Sequence, residues 1–172
     1  MKHSTKMWCI CFPVLSIALV LLPGCANIRI VDRTTETALP PADFDAAANA
    51  DEHDMAVLAI DFDPPLEYEQ IMLSKKGITL LVAVENSGCS NESNVTVQAA
   101  LSTDDGKTVV LEDEKLIPDI APGEITIVRF KSLGDIPYRK AYQLEVRVLP
   151  VTGEAHAVNN QKSYDLYVTQ PE

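Results

Sequence analysis

Tryptophan occurs once in the 172 residues, at Trp8, histidine three times and cysteine four times. Nucleophilic and metal-assisted chemistry draws on clusters of His, Cys and carboxylates, and beyond residue 24 only His53, His156, Cys25 and Cys89 are on hand. Cations are scarce as well: 14 Lys and Arg stand against 25 Asp and Glu, a formal charge of −11. A sequence-independent nucleic-acid binder needs a basic face to displace counterions from phosphate, so this shortage excludes that class. No Asp-x-Asp-x-Asp-Gly loop ending in Glu is present, which excludes an EF-hand. Helical apolar periodicity is missing throughout, and no apolar run reaches the ~20 residues needed to span a bilayer as a helix.

The longest apolar run is Met7 to Leu22, about 16 residues, preceded by Lys2 and Lys6 and free of acids. A positive start, a short apolar stretch and a small-residue end read as a cleaved secretory signal over residues 1–24. The closing Leu22-Pro23-Gly24-Cys25 resembles the lipobox of bacterial lipoproteins, with Pro23 where that family usually places Ser, Ala or Thr. An ordinary signal peptide that happens to end near a cysteine is the plainer reading of the same residues. The resemblance implies that Cys25 carries diacylglycerol and palmitate-type acyl chains and becomes the mature N-terminus. Two or three such chains hold a protein stably, where one would be marginal. It also implies the extracytoplasmic face of a bacterial cell envelope, and the outer membrane in a Gram-negative source, because residue 26 is Ala and not Asp. Processing would remove Cys9 and Cys11 and occupy Cys25, so Cys89 has no partner for an intrachain disulfide.

Residues 25–54 contain seven acids, two Arg, Pro40-Pro41 and many alanines, with no apolar period. Such a segment buries too little to offset its ordering entropy and is expected to be a flexible acidic linker, with a reach of about 30 Å. From residue 55 to 170 the pattern turns to period two. Strands are expected at about residues 55–62, 77–86, 94–102, 107–116, 124–131, 141–149 and 162–168, separated by Pro64-Pro65, Asn86-Ser87-Gly88, Asp105-Gly106, Pro122-Gly123 and Asn159-Asn160. Tyr142, Leu144, Val146 and Val148 face the core in this reading, as do Val95, Val97, Ala99 and Leu101. Seven short strands at this spacing describe an all-β, immunoglobulin-like or fibronectin-III-like sandwich. Tyr142 is placed to bond upstream backbone as a tyrosine corner, and Asn86 and Gly88 read as a turn needing positive φ.

Val84-Glu85-Asn86-Ser87-Gly88, Ile120-Ala121-Pro122-Gly123-Glu124, Tyr142-x-Leu144-x-Val146, Glu154 and Asn159-Asn160 resemble the CARDB domain, the cell adhesion related domain found in bacteria. That resemblance covers about residues 55–170 and implies an extracytoplasmic adhesion or accessory module without an activity of its own.

Candidate sites are few. Cys89, His156 and Asn159 fall in loops of one end of such a sandwich, the end where the linker is expected to join. Asp61, Asp63, Glu67 and Glu69 cluster around Pro64-Pro65 as weak calcium candidates, against the plainer reading of a solvated acidic edge. At the opposite end Tyr68, Tyr138 and Arg139 are the residue types enriched at interface hot spots and are the expected partner contacts. The reading is therefore a membrane-anchored binding module, not an enzyme, with no cofactor, no metal and no nucleic acid, meeting an unknown protein or envelope polymer. An envelope assembly or transport accessory lipoprotein is the alternative.

Overall fold

The computed structural model describes residues 28–33, 52–74, 77–103, 106–132, 135–154 and 156–171. The signal segment 1–24, Cys25 and Asp104-Asp105 lie outside the described residues. Eight strands follow one another: β1 (Ile28–Asp32), β2 (Met55–Asp63), β3 (Thr79–Asn86), β4 (Glu92–Thr103), β5 (Val109–Ile120), β6 (Ile125–Lys131), β7 (Ala141–Val148) and β8 (Gln161–Val168). They form two antiparallel sheets, β1-β8-β7-β4-β5 and β2-β3-β6, with one hydrophobic core drawn from both.

The core follows from strict alternation. In β7, Tyr142, Leu144, Val146 and Val148 are fully buried, and in β4 the inward set is Val95, Val97, Ala99 and Leu101. Leu80, Val82 and Val84 of β3 and Val128 and Phe130 of β6 line the facing sheet. Where the period breaks, a cause is visible. A bulge between Val57 and Ala59 leaves Leu58 52% exposed and returns Phe62 to the core.

Two features depart from the sequence expectation. Residues 28–32, inside the segment read as a flexible linker, form β1 and pair with β8 from Ile28↔Val168 to Asp32↔Tyr164. Ile28 packs against the core, Arg33 N donates to Ser163 O (2.7 Å), and the Arg33 guanidinium meets Asp165 at 3.0 Å. The β8 edge would otherwise carry a row of open backbone groups, which is why five residues with three β-branched side chains suffice there. The second departure is helical: Gln70–Ser74 form a five-residue π-helical turn, preceded by Ile71 N donating to Glu67 O (3.0 Å).

The loops gather at two ends. The acid end holds residues 87–91, 121–124, 149–154 and 156–160, with Glu52–Asp54 leading into β2. The tyrosine end holds residues 64–74, 77–78, 106–108, 132 and 135–140 together with the start of β1. At the tyrosine end the expected corner is formed, as the fully buried Tyr142 hydroxyl donates to Pro137 O (2.8 Å) and accepts from Arg139 N (3.1 Å). Tyr142→Phe strands that carbonyl and amide, and is expected to cost about 2 kcal/mol in chemical denaturation.

Candidate functional site

The acid end is built around Asn86, the last residue of β3. Fully buried, its Nδ2 donates to Ser90 O (2.8 Å) and Ile120 O (3.0 Å), while its Oδ1 accepts from Gly88 N (3.1 Å). The loop so folded receives the chain arriving at β2. Ser87 N and Gly88 N donate to Asp54 O (2.8 and 3.1 Å), and Cys89 N donates to Glu52 O (2.8 Å). A Cβ on Gly88 would sit 2.5 Å from Glu52 O and 2.7 Å from Asp54 N, so glycine is required here by close approach of backbone. The expected positive φ is not at Asn86 or Gly88; it occurs at Asn94, Gly106, Gly123 and Gly153.

Side chains complete this clasp. His53 pairs with Glu92 through Nδ1 and Oε1, Asn159 Nδ2 donates to Asp54 Oδ1 (3.0 Å), and Glu154 accepts from Met55 N and Val151 N (2.9 Å each). Segment 52–54, placed in the linker by the sequence reading, is thus fixed to the 87–91 and 149–160 loops and to the first residue of β4. A hollow of about 430 Å³ lies beside it, bordered by His53, Glu92, Asn94, Thr96, Leu149 and Val151.

Burial pushes the Asp54 carboxyl above its ordinary value, against the Asn159 hydrogen bond and the His156 charge, with Glu154 and Glu52 adding to the rise. A carboxyl whose folded value is raised binds its proton more tightly in the folded state. Its contribution is therefore favourable below the ordinary carboxylate range and is lost as pH rises through the raised value. Asp54→Asn keeps an acceptor for Asn159 and removes that dependence. The variant is expected to melt at or above the parent temperature at pH 7 and to lose its advantage on acidification, as scanning calorimetry across pH 3 to 7 reads out.

The chemistry candidates do not converge. His156 Nε2 lies 3.6 Å from Glu52 Oε1 and Asn159 bonds Asp54, so neither is turned to orient the other beside the exposed Cys89. Among the described residues no three His, Cys, Asp or Glu side chains are grouped to hold a metal ion. Asp61, Asp63 and Glu69 are exposed and Glu67 half-buried, and Asp61 Oδ1 accepts from Phe62 N (2.8 Å).

At the tyrosine end, Tyr68 and Tyr138 meet edge to face with ring centroids 5.0 Å apart, and both are half-buried against the core. Arg139 is exposed, its Nη1 donating to Tyr138 O (2.8 Å). These three partner candidates are therefore neighbours, with the two rings closing the end of the core and the guanidinium outside. Two surfaces were missed by sequence reasoning. The outer face of β2-β3-β6 exposes Leu58, Ile125 and Ile127, a set visible only once the bulge and register are known. The outer face of the larger sheet carries a polar hollow of about 440 Å³ around Gln98, Ala100, Glu114, Glu145 and Arg147.

No protein-family model and no curated protein matches this chain. Among solved structures it is similar to the solution NMR structure of a domain of a "putative cell surface protein" from Methanosarcina acetivorans. The two share 20% identity over 70% of this chain and 95% of that one, with a TM-score of 0.50. At that identity the likeness extends to the two-sheet fold alone.

Proposed function

We propose that this chain is a lipid-anchored, extracytoplasmic binding or adhesion module of the bacterial envelope, without catalytic activity. The observation that carries this reading is Leu22-Pro23-Gly24-Cys25 at the end of a signal-like apolar run, followed by an all-β domain. Among the described residues no helix is long and apolar enough to cross a membrane, so an anchor elsewhere in the chain is not offered by them.

The strand order supports a fibronectin-III or CARDB-like immunoglobulin topology. With β2, β3 and β6 taken as strands A, B and E, and β4, β7 and β8 as C, F and G, the sheets read A-B-E and G-F-C, with β5 beside C. The Methanosarcina domain, named for the cell surface, agrees with display outside the cell.

The test is the intact mass of the protein extracted from membranes of its source. The expected species begins at Cys25 and carries a diacylglyceryl group, with or without an amide-linked acyl chain. A chain beginning at Met1, or an unmodified Cys25, overturns the proposal.

A further inference from the structure

Three Cα-to-Cα steps, through Ala26 and Asn27, carry the chain from Cys25 to Ile28. An extended chain advances at most ~3.6 Å per residue, so the Cα of Cys25 lies within about 11 Å of that of Ile28. Ile28 is fixed by its pairing with Val168, whose amide donates to Lys140 O (3.0 Å). The lipid-bearing residue of the proposed function is therefore tied to the tyrosine end of the sandwich. A linker with a reach of 30 Å that joins at the acid end is replaced by a leash of two residues at the other end.

Charge is distributed in the same sense. Residues 86–94, 117–124 and 149–160 of the acid end contain no Lys or Arg, yet carry Glu92, Asp119, Glu124 and Glu154, with Glu52 and Asp54 beside them. The tyrosine end exposes Arg29, Lys107, Lys131, Arg139 and Lys140, interspersed with Asp63, Glu67, Glu69 and Asp135. Attraction to anionic headgroups falls off within a Debye length, about 8 Å at physiological salt, so only the end held at the surface by its leash experiences it.

From this juxtaposition we infer that the tyrosine end, with Arg139 and Lys140, rests on the anionic surface of the bilayer, and that the acid end is the membrane-distal face. The inference rests on lipidation of Cys25. It also reverses the expectation that Tyr138 and Arg139 point outward: their neighbour is lipid, and the face turned away from the bilayer is the loop cluster around Cys89, Asn91 and Glu124.

Cys89 is the free thiol of the described residues, exposed at the acid end. Lys140 is exposed at the other, separated by the length of β7, about 25 Å for eight residues. The full chain, purified with its lipid, is reconstituted in vesicles of phosphatidylcholine and phosphatidylglycerol containing a headgroup-attached quencher. One sample carries a fluorophore on Cys89; the other carries it in the variant Cys89→Ser with Lys140→Cys. Because Lys140 contacts Val168 through its backbone carbonyl, the second substitution leaves that bond in place. Fluorescence at position 140 is expected to be quenched several-fold more than at position 89, and to recover in part in phosphatidylcholine alone.

Equal quenching at the two positions, or stronger quenching at 89, in a protein that floats with the vesicles and shows acylated Cys25 by mass, overturns the orientation and leaves the anchor standing. Quenching at 140 that does not change in phosphatidylcholine overturns the headgroup contact. A protein that neither floats nor carries lipid overturns the anchor, and the orientation with it.

Discussion

Replacing Asn86 with alanine is expected to lower stability by about 3 kcal/mol, a fall in Tm of roughly 10 °C for a domain of this size. The effect comes from what the side chain leaves behind. Its amide satisfies Ser90 O, Ile120 O and Gly88 N, and truncation strands two carbonyls and leaves Gly88 N with Asp54 O as its remaining acceptor. Asn86→Asp retains the acceptor for Gly88 N but turns a carboxylate oxygen toward the carbonyls of Ser90 and Ile120, so it is expected to cost at least as much at neutral pH. Ser93→Ala serves as the contrast. It removes an exposed hydroxyl that donates to Asp119 Oδ1 (2.9 Å), and is expected to change stability by less than about 0.5 kcal/mol. Urea denaturation of the three variants checks the series. A loss below about 1 kcal/mol for Asn86→Ala would show that the 87–91 loop does not depend on this amide.

The sandwich was legible in the sequence wherever burial alternates cleanly and a turn residue closes the strand. β7 and β4 bury the residues their period dictates, Gly106 and Gly123 adopt positive φ in the turns marked by Asp-Gly and Pro-Gly, and Tyr142 bonds upstream backbone as a corner. The rest depends on partners distant in sequence. β1 is five residues inside an acidic, alanine-rich stretch, and its reason for existing is the open edge of β8 some 130 residues later. The bulge at Val57 to Ala59 shifts the register of β2, so a period-two reading of that strand places Leu58 on the wrong side of the question.

The same limit governs the acid end. Asn86 and Gly88 carry the composition of a turn, and a local reading assigns them the φ that turns use. What selects them is a second stretch of chain, Glu52–Asp54, lying against the loop, together with Glu92, Glu154 and Asn159 from three other positions. No spacing within one loop announces such a meeting. Polar groups 39, 99 and 105 residues apart in sequence form its side-chain contacts. At the tyrosine end the three residues were singled out by type alone, and half-burial of Tyr68 and Tyr138 leaves Arg139 as the exposed member of the three.

Gly88→Ala is expected to detach residues 52–54 from the loop at a cost of about 2–4 kcal/mol. The new Cβ meets backbone atoms, Glu52 O and Asp54 N, which no rotamer change can move aside. Relief requires the segment itself to shift, and the shift breaks the bonds from Ser87 N, Gly88 N and Cys89 N to Asp54 O and Glu52 O. Hydrogen exchange at those three amides should accelerate well before the amides of β7 and β4 respond, because the core sheets do not rest on the clasp. Gly106→Ala separates close approach from backbone conformation. Nothing lies within 4 Å of a Cβ there, and its φ of +66° alone is expected to cost about 1–2 kcal/mol with no change in exchange at residues 87–89. The chain's other fastening is independent of both substitutions, since β1 is held to β8 by its own ladder and by Arg33 N to Ser163 O. Gly88→Ala is therefore expected to loosen the acid end while leaving exchange at the β1 and β8 amides unchanged.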